Sequence, residues 1–285
     1  MRTLTAATLV LFLSACAPAF FQPSTAIYLT PGQFGLEYEP VEMHAADGTE
    51  LFAWFMPARG PARATVLYLH GNGENISSQF PNVAWLPARG FNVLALDYRG
   101  YGGSQGKPTF AGVQLDIDAA MRVLLERRDV DPDRIIVFGQ SLGAALAVHY
   151  AAHSSYRSSI RAVILDSPFS DYRLIAREKL AGFFLTWPFQ WLPSLTVENN
   201  YSPAASVEAL APIPVLFIHG EEDLVVPPHH SQRLYERARE PKQLWVVPEI
   251  GHIQAVRNRD LRERLAGFLD EHSAPSAASG SSAKR

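Results

Sequence analysis

The chain has 285 residues, of which 47% are hydrophobic and 19% charged, with a formal net charge of −3. That length and apolar content suit one large core rather than two small ones. The slight negative charge, without a long basic run, argues against a nucleic-acid partner, and a lone cysteine, Cys16, excludes an internal disulfide.

At the N-terminus Arg2 precedes an apolar run from Leu4 to Leu13, followed by the small residues Ser14 and Ala15. The run is too short to span a bilayer and reads as a removable secretory signal, residues 1–15. Leu13-Ser14-Ala15-Cys16 resembles the lipobox of bacterial lipoproteins, in which the cysteine is lipidated and becomes the new N-terminus. The resemblance implies a membrane partner, held through acyl chains on Cys16 without spanning. With Ala17 after the cysteine, it favours the bacterial cell envelope, at the outer membrane and facing the periplasm. Plain secretion, with cleavage after Ala17 or Ala19, is the alternative. Residues 16–36 are expected to be a lipidated N-terminal segment ahead of a folded domain, 37–272. The Ser/Ala-rich stretch 273–285 is expected to be a flexible tail.

Within the domain, residues 41–44 and 51–55 flank Ala46-Asp47-Gly48, the pattern of a strand pair around a turn. The continuous apolar run 64–70 predicts a buried strand, 76–88 a helix and 92–97 the next strand. In 113–127, Val113, Ile117, Ala120, Met121 and Leu124 recur at helical spacing. Strands are predicted at 134–138, 162–166, 215–219 and 243–247, and helices after Ser141, at 229–239 and at 257–270. A hairpin followed by alternating strands and helices predicts an α/β fold, a mostly parallel sheet with helices on both faces. Ligands in such folds sit at the carboxyl ends of the strands.

Gly139-Gln140-Ser141-Leu142-Gly143 lies between a strand and a helix, the layout of a nucleophile elbow. The glycines allow backbone to approach backbone, and the helix start aims N–H groups at whatever the serine attacks. Alone, the pattern is equally an ordinary strand-to-helix turn. Asp223, past the strand 215–219, is the candidate acid, with Glu222 as its rival. His252, on the loop after the last strand, is the candidate base. His70-Gly71-Asn72-Gly73 ends an earlier strand and offers the backbone N–H of Asn72, with that of Leu142, as an oxyanion hole. His149 and His153 share a helix face but lack an evident third ligand. His229 and His230 are adjacent and are expected to point apart, so no metal site is assigned.

The order Ser141, Asp223, His252 is the one α/β-hydrolases use. Together with His70-Gly71-Asn72-Gly73-Glu74-Asn75, Asp97-Tyr98-Arg99-Gly100-Tyr101-Gly102-Gly103-Ser104, His219-Gly220-Glu221-Glu222-Asp223 and Gly251-His252, it makes the chain resemble the serine α/β-hydrolases. The resemblance is to the branch of Bem-type, depalmitoylase-like and serine-aminopeptidase-like members. It implies an α/β-hydrolase fold with a short cap segment, and hydrolysis of a small-molecule acyl substrate, an ester or thioester, through an acyl-enzyme without a cofactor. An amide-cleaving peptidase and a non-catalytic surface lipoprotein on the same scaffold stay open. The aromatic stretch with Phe183, Phe184, Trp187 and Trp191 is expected to wall the acyl pocket, to pack on its own core, or to dip into a membrane. Arg99 is expected to shape its loop rather than grip an anion.

Overall fold

The computed structural model describes residues 20–273. The expected signal segment, Cys16 and the tail after Ser273 lie outside those residues. The strands are β1 Gln22–Pro23, β2 Glu39–His44, β3 Glu50–Met56, β4 Ala64–Leu69, β5 Gly73–Glu74, β6 Phe91–Asp97, β7 Ile135–Gln140, β8 Ile160–Asp166, β9 Val215–Gly220 and β10 Lys242–Val247. The helices are α1 Ile76–Gln79, α2 Phe110–Glu126, α3 Leu142–His153, α4 Tyr172–Ala181, α5 Pro193–Thr196, α6 Pro203–Ser206, α7 His229–Arg237 and α8 Arg259–Ser273.

Eight strands make one sheet in the order β10-β9-β8-β7-β4-β6-β3-β2. β2 and β3 form the antiparallel hairpin, β3 runs antiparallel to β6, and the other pairings are parallel. Alternation along the central strands sorts their side chains onto two faces. Leu67, Leu69, Val137, Leu165 and Phe217 pack with α2 and α3 on one side. Val66, Tyr68, Ile136, Phe138 and Ile218 pack with Phe80, Leu265 and Phe268 on the other. Both faces being covered explains why β4 and β7 read as unbroken apolar runs. α3 is buried around nearly its whole circumference, so the segment after Ser141 is held rigidly under the sheet edge.

Two expectations are corrected. The stretch 76–88 is not one helix: α1 gives way to 3-10 turns at Phe80–Asn82 and Pro87–Arg89. Pro81 and Pro87 lack the amide hydrogen that a continuous helix would use. The domain also starts before residue 37. Phe21 is 3% exposed in the core, β1 pairs in parallel with β5, and Asn75 Nδ2 donates to the carbonyls of Ser24 and Ala26 at 2.8 and 2.7 Å. The segment carries almost no helical or strand periodicity because its backbone is satisfied by a loop rather than by the main sheet.

Arg99 shapes its loop. Its Nε donates to Asp116 Oδ1 at 2.8 Å and its Nη1 to Asp47 Oδ2 at 2.8 Å, which ties the β6 loop to α2 and to the hairpin turn. Among the described residues, no helix is long and apolar enough to cross a membrane.

Phe21→Ala is expected to lower stability by about 3 kcal/mol, the usual cost of emptying a buried phenylalanine site. Urea unfolding measures it. A loss below about 1 kcal/mol would return residues 20–35 to the status of a tether.

Candidate active site

The turn from β7 into α3 places Ser141 at φ 52°, ψ −114°, a backbone conformation that costs a non-glycine residue about 1–3 kcal/mol. A Cβ at Gly139 would meet the Gly143 carbonyl oxygen at 2.4 Å, and one at Gly143 would meet the Leu69 carbonyl oxygen at 2.0 Å. Both contacts are to backbone, so neither position accepts a side chain. The Ser141 amide donates to the Asp166 carbonyl at 2.8 Å. The preceding side chain is held too: Gln140 Oε1 accepts from Tyr68 Oη at 2.5 Å and from Asn82 Nδ2 at 2.8 Å, and its Nε2 donates to Asp166 Oδ2 at 2.8 Å.

The structure brings Ser141, His252 and Asp223 together from three separate loops. Ser141 Oγ lies 2.9 Å from His252 Nε2, and His252 Nδ1 lies 2.7 Å from Asp223 Oδ2. The carboxylate can only accept, so Nδ1 carries the proton and Nε2 presents its lone pair to the serine hydroxyl. Asp223 Oδ1 accepts the amides of Val225 and Val226, both at 2.8 Å. Burial works to raise Asp223, but hydrogen bonds from His219 and His252 outweigh it and hold the carboxyl well below the usual carboxylate range. Glu222, the rival acid, enters no hydrogen bond with His252.

Asn72 and Leu142 line the same cavity as Ser141. The loop bearing Asn72 is clamped from two sides. Gln79 Oε1 accepts the Gly71 amide at 2.8 Å and its Nε2 donates to the Gly73 carbonyl at 2.5 Å. From the other side the Gln22 amide donates to Asn72 Oδ1 at 2.8 Å, and Tyr101 Oη donates to the Asn72 carbonyl at 2.9 Å. Fixed backbone donors of this kind need no reorganisation when charge develops.

A model of the family described as serine aminopeptidase, S33, matches residues 60–212. The uncharacterized protein YfhR of Escherichia coli K12 is 40% identical over 257 residues, 88% of this chain and 86% of the relative. Protein bem46 of Schizosaccharomyces pombe is 30% identical over 259 residues, 89% of this chain and 84% of the relative. The chain belongs to the Bem-type serine α/β-hydrolases. Among solved structures, the Pyrococcus furiosus esterase Pf2001 superposes with a TM-score of 0.70 at 25% identity, over 90% of this chain and 99% of that one.

The hydrolase has two unlike cavities beside Ser141. One, of about 520 Å³, is walled mainly by apolar residues, among them Phe20, Ile175, Leu180, Leu192 and Val197. The other, of about 620 Å³, is more polar and includes Glu74, Gln79, His252 and Arg257. The expectation for Phe183, Phe184, Trp187 and Trp191 is corrected: none of them lines the apolar cavity. All four are exposed, Phe184 by 78% and Trp187 by 59%. The chain between α4 and α5 turns outward, so the inner sides of the two helices make the wall and the aromatics at the tip face away.

Sequence reasoning misses other residues of this site. Asp166 ends β8 fully buried, and burial raises its pKa; a carboxylate closing an apolar strand run is its visible signal. His219 Nε2 lies 2.7 Å from the Val226 carbonyl and 3.3 Å from Asp223 Oδ2, which braces the acid loop. His229 and His230, expected to point apart, converge on Glu178: their Nε2 atoms lie 3.0 Å from its two oxygens. The Ser170 amide donates to His230 Nδ1 at 3.1 Å, so Nε2 carries the proton and donates to Glu178. A metal ligand would need that nitrogen bare.

Beneath the loop bearing Asn72, His70 Nδ1 donates to the Gly71 carbonyl at 2.7 Å, and Nε2 lies 3.8 Å from Asp97 Oδ1. Burial pushes His70 down to about 4 and Asp97 up to about 7, against the amides of Ile76 and Gly103, which favour the carboxylate. An unfolded aspartate titrates near about 4. The folded state therefore holds the Asp97 proton more tightly, and this group's contribution to stability falls as pH rises from about 4 to about 7 and is level above. Asp97→Asn is expected to remove that fall, which amounts to about 1.4 kcal/mol for each pH unit crossed between the two values. Urea midpoints of both proteins at about pH 5 and about pH 8 test it; parallel changes in the two would mean that Asp97 stays ionised throughout.

Proposed function

We propose that the protein is a serine hydrolase that cleaves carboxylic esters or thioesters with an apolar acyl part, through an acyl-enzyme on Ser141. The observation that carries this reading is the hydrogen-bonded line Ser141–His252–Asp223, at 2.9 and 2.7 Å, set between an apolar and a polar cavity. His252 takes the Ser141 proton as Oγ attacks the carbonyl carbon. Asp223 keeps the imidazole in the right tautomer and stabilises the imidazolium. The amides of Asn72 and Leu142 receive the oxyanion. Removing one such donor typically costs about 3–4 kcal/mol in other enzymes. His252 then protonates the leaving oxygen or sulfur, and water, activated by the same histidine, releases the acid.

His252 must hand its proton to the leaving group, and it lines the polar cavity, not the apolar one. The apolar cavity is therefore the acyl side. Lys179 is the charged residue along that wall, and no carboxylate is among the lining residues. An aminopeptidase must hold a substrate ammonium on the acyl side, and here it would meet a cation and apolar surface. The esterase neighbour from Pyrococcus furiosus supports the same reading.

A fluorophosphonate probe is expected to label Ser141, and Ser141→Ala to abolish labelling; equal labelling of the variant would sink the assignment. Asp223→Asn is expected to lower kcat by about 10³–10⁴ with the fold intact, the size seen when the same role is lost in other triads. An unchanged rate would move the acid elsewhere. In a panel of p-nitrophenyl esters of rising chain length beside aminoacyl anilides, the esters are expected to turn over. Ile175→Trp, which fills the apolar cavity, should shift the optimum to shorter chains. Turnover of the anilides alone would make the protein a peptidase.

A further inference from the structure

Between Lys179 and Glu198 the chain carries no charged residue. The segment leaves the wall of the acyl cavity at Leu180 and rejoins it at Leu192. Between those points Phe183, Phe184, Leu185, Trp187, Phe189 and Trp191 are each more than half exposed. The apolar surface continues onto the acid loop, where Leu224 is 91% exposed and Val225 is exposed while lining the cavity. Lys179, whose Nζ donates to the Leu224 carbonyl at 3.4 Å, is the charge at the join, and a run of exposed aromatics such as that from Phe183 to Trp191 is uncommon on a soluble monomer. Tryptophan and phenylalanine beside leucine are the side chains that settle at the boundary between lipid headgroups and acyl chains.

The position of Phe20 points to the occupant. Phe20 lines the same acyl cavity. Cys16 is four residues before it, and four residues of extended chain reach at most about 14 Å. An acyl anchor at Cys16 would hold a bilayer within that distance of the cavity. We infer that the Phe183 to Trp191 surface rests in the interface of a lipid bilayer, so that the acyl cavity opens toward the membrane. An acyl chain then passes from bilayer to cavity without crossing water, which removes the cost of exposing its methylenes. The inference rests on the esterase reading for the fate of that chain, but the contact with lipid stands without it.

The test uses the full chain in phosphatidylethanolamine–phosphatidylglycerol vesicles with bromine on the lipid acyl chains. Bromine quenches tryptophans that reach the acyl region; Trp54 and Trp245 are buried in the core and Trp85 is half-buried against it. The protein is expected to be quenched, and Trp187→Phe with Trp191→Phe to lose most of that quenching. An unquenched protein, or a double variant quenched like the parent, overturns the inference. A second variant, Phe184→Asp with Leu185→Asp, is expected to cut turnover of a long-chain ester dissolved in the bilayer by about tenfold or more, with p-nitrophenyl acetate hydrolysis unchanged. An equal fall for both esters would mean a damaged site and overturn the membrane role. Cross-linking of two copies through the patch, without quenching, would assign the surface to self-association instead. Absent p-nitrophenyl acetate hydrolysis in the parent, with quenching intact, would sink the esterase reading alone.

Discussion

The site depends on two backbones sharing one space. A Cβ at position 143 would stand 2.0 Å from the Leu69 carbonyl oxygen and 2.6 Å from that of His70. Only because Gly143 has no side chain can the start of α3 lie against the end of β4. That contact brings the loop carrying Asn72 beside Ser141. It also aims the first amides of a buried helix at the same point. The strain at Ser141 is stored against this packing: α3 is buried on nearly all sides, so the serine cannot relax into ordinary helical backbone without moving the helix out of the core.

A layer of polar groups under the sheet edge holds the loops of the site in register. Tyr68, Gln140, Asn82 and Asp166 form one hydrogen-bonded set beneath Ser141. The Ile253 amide donates to Ser167 Oγ at 3.3 Å, which links the base loop to the end of β8. His219 and the amides of Val225 and Val226 fix the acid loop. In a buried environment such bonds are strong when every member is satisfied. His70 Nε2 is an exception, a buried atom without a partner, and it faces the carboxyl that burial drives toward its protonated form. The loop bearing Asn72 thus rests on a spot where the fold tolerates polar cost.

The geometry separates what the site does to a bond from what it accepts. The serine, imidazole and carboxylate line sits at the junction of two cavities, whose walls come from α4, α5 and Phe20 on one side and from Glu74, Arg257 and the His252 loop on the other. The segment between α4 and α5 serves in two ways, with its ends in the wall of the apolar cavity and its tip in the exposed aromatic surface. The N-terminal segment does so too, since it pairs with β5, clamps Asn72 and closes one side of the cavity.

Much of the fold is legible in local pattern. Apolar runs mark β4, β6, β7 and β8, and spaced apolar residues mark α2, because each buried element must present its own hydrophobic face. The glycines around Ser141, the loop after β4, and Asp223 and His252 past late strands are legible for a similar reason, as turns at strand ends restrict residue type. The proline-split stretch after residue 76 reads as a single helix because its apolar spacing outweighs two local breaks. The wall of the apolar cavity is not legible at all. Aromatic content announces Phe183, Phe184, Trp187 and Trp191, yet whether a side chain faces a cavity or the outside depends on the path between α4 and α5, which no period records. By itself the sequence determined the order of elements and the chemistry at their ends. Only the tertiary structure decided which groups meet: Phe20 with the apolar cavity, the Gln22 amide with the Asn72 side chain, His219 with Asp223. Those contacts are set by packing rather than by local sequence pattern, and the first two join segments far apart in the chain.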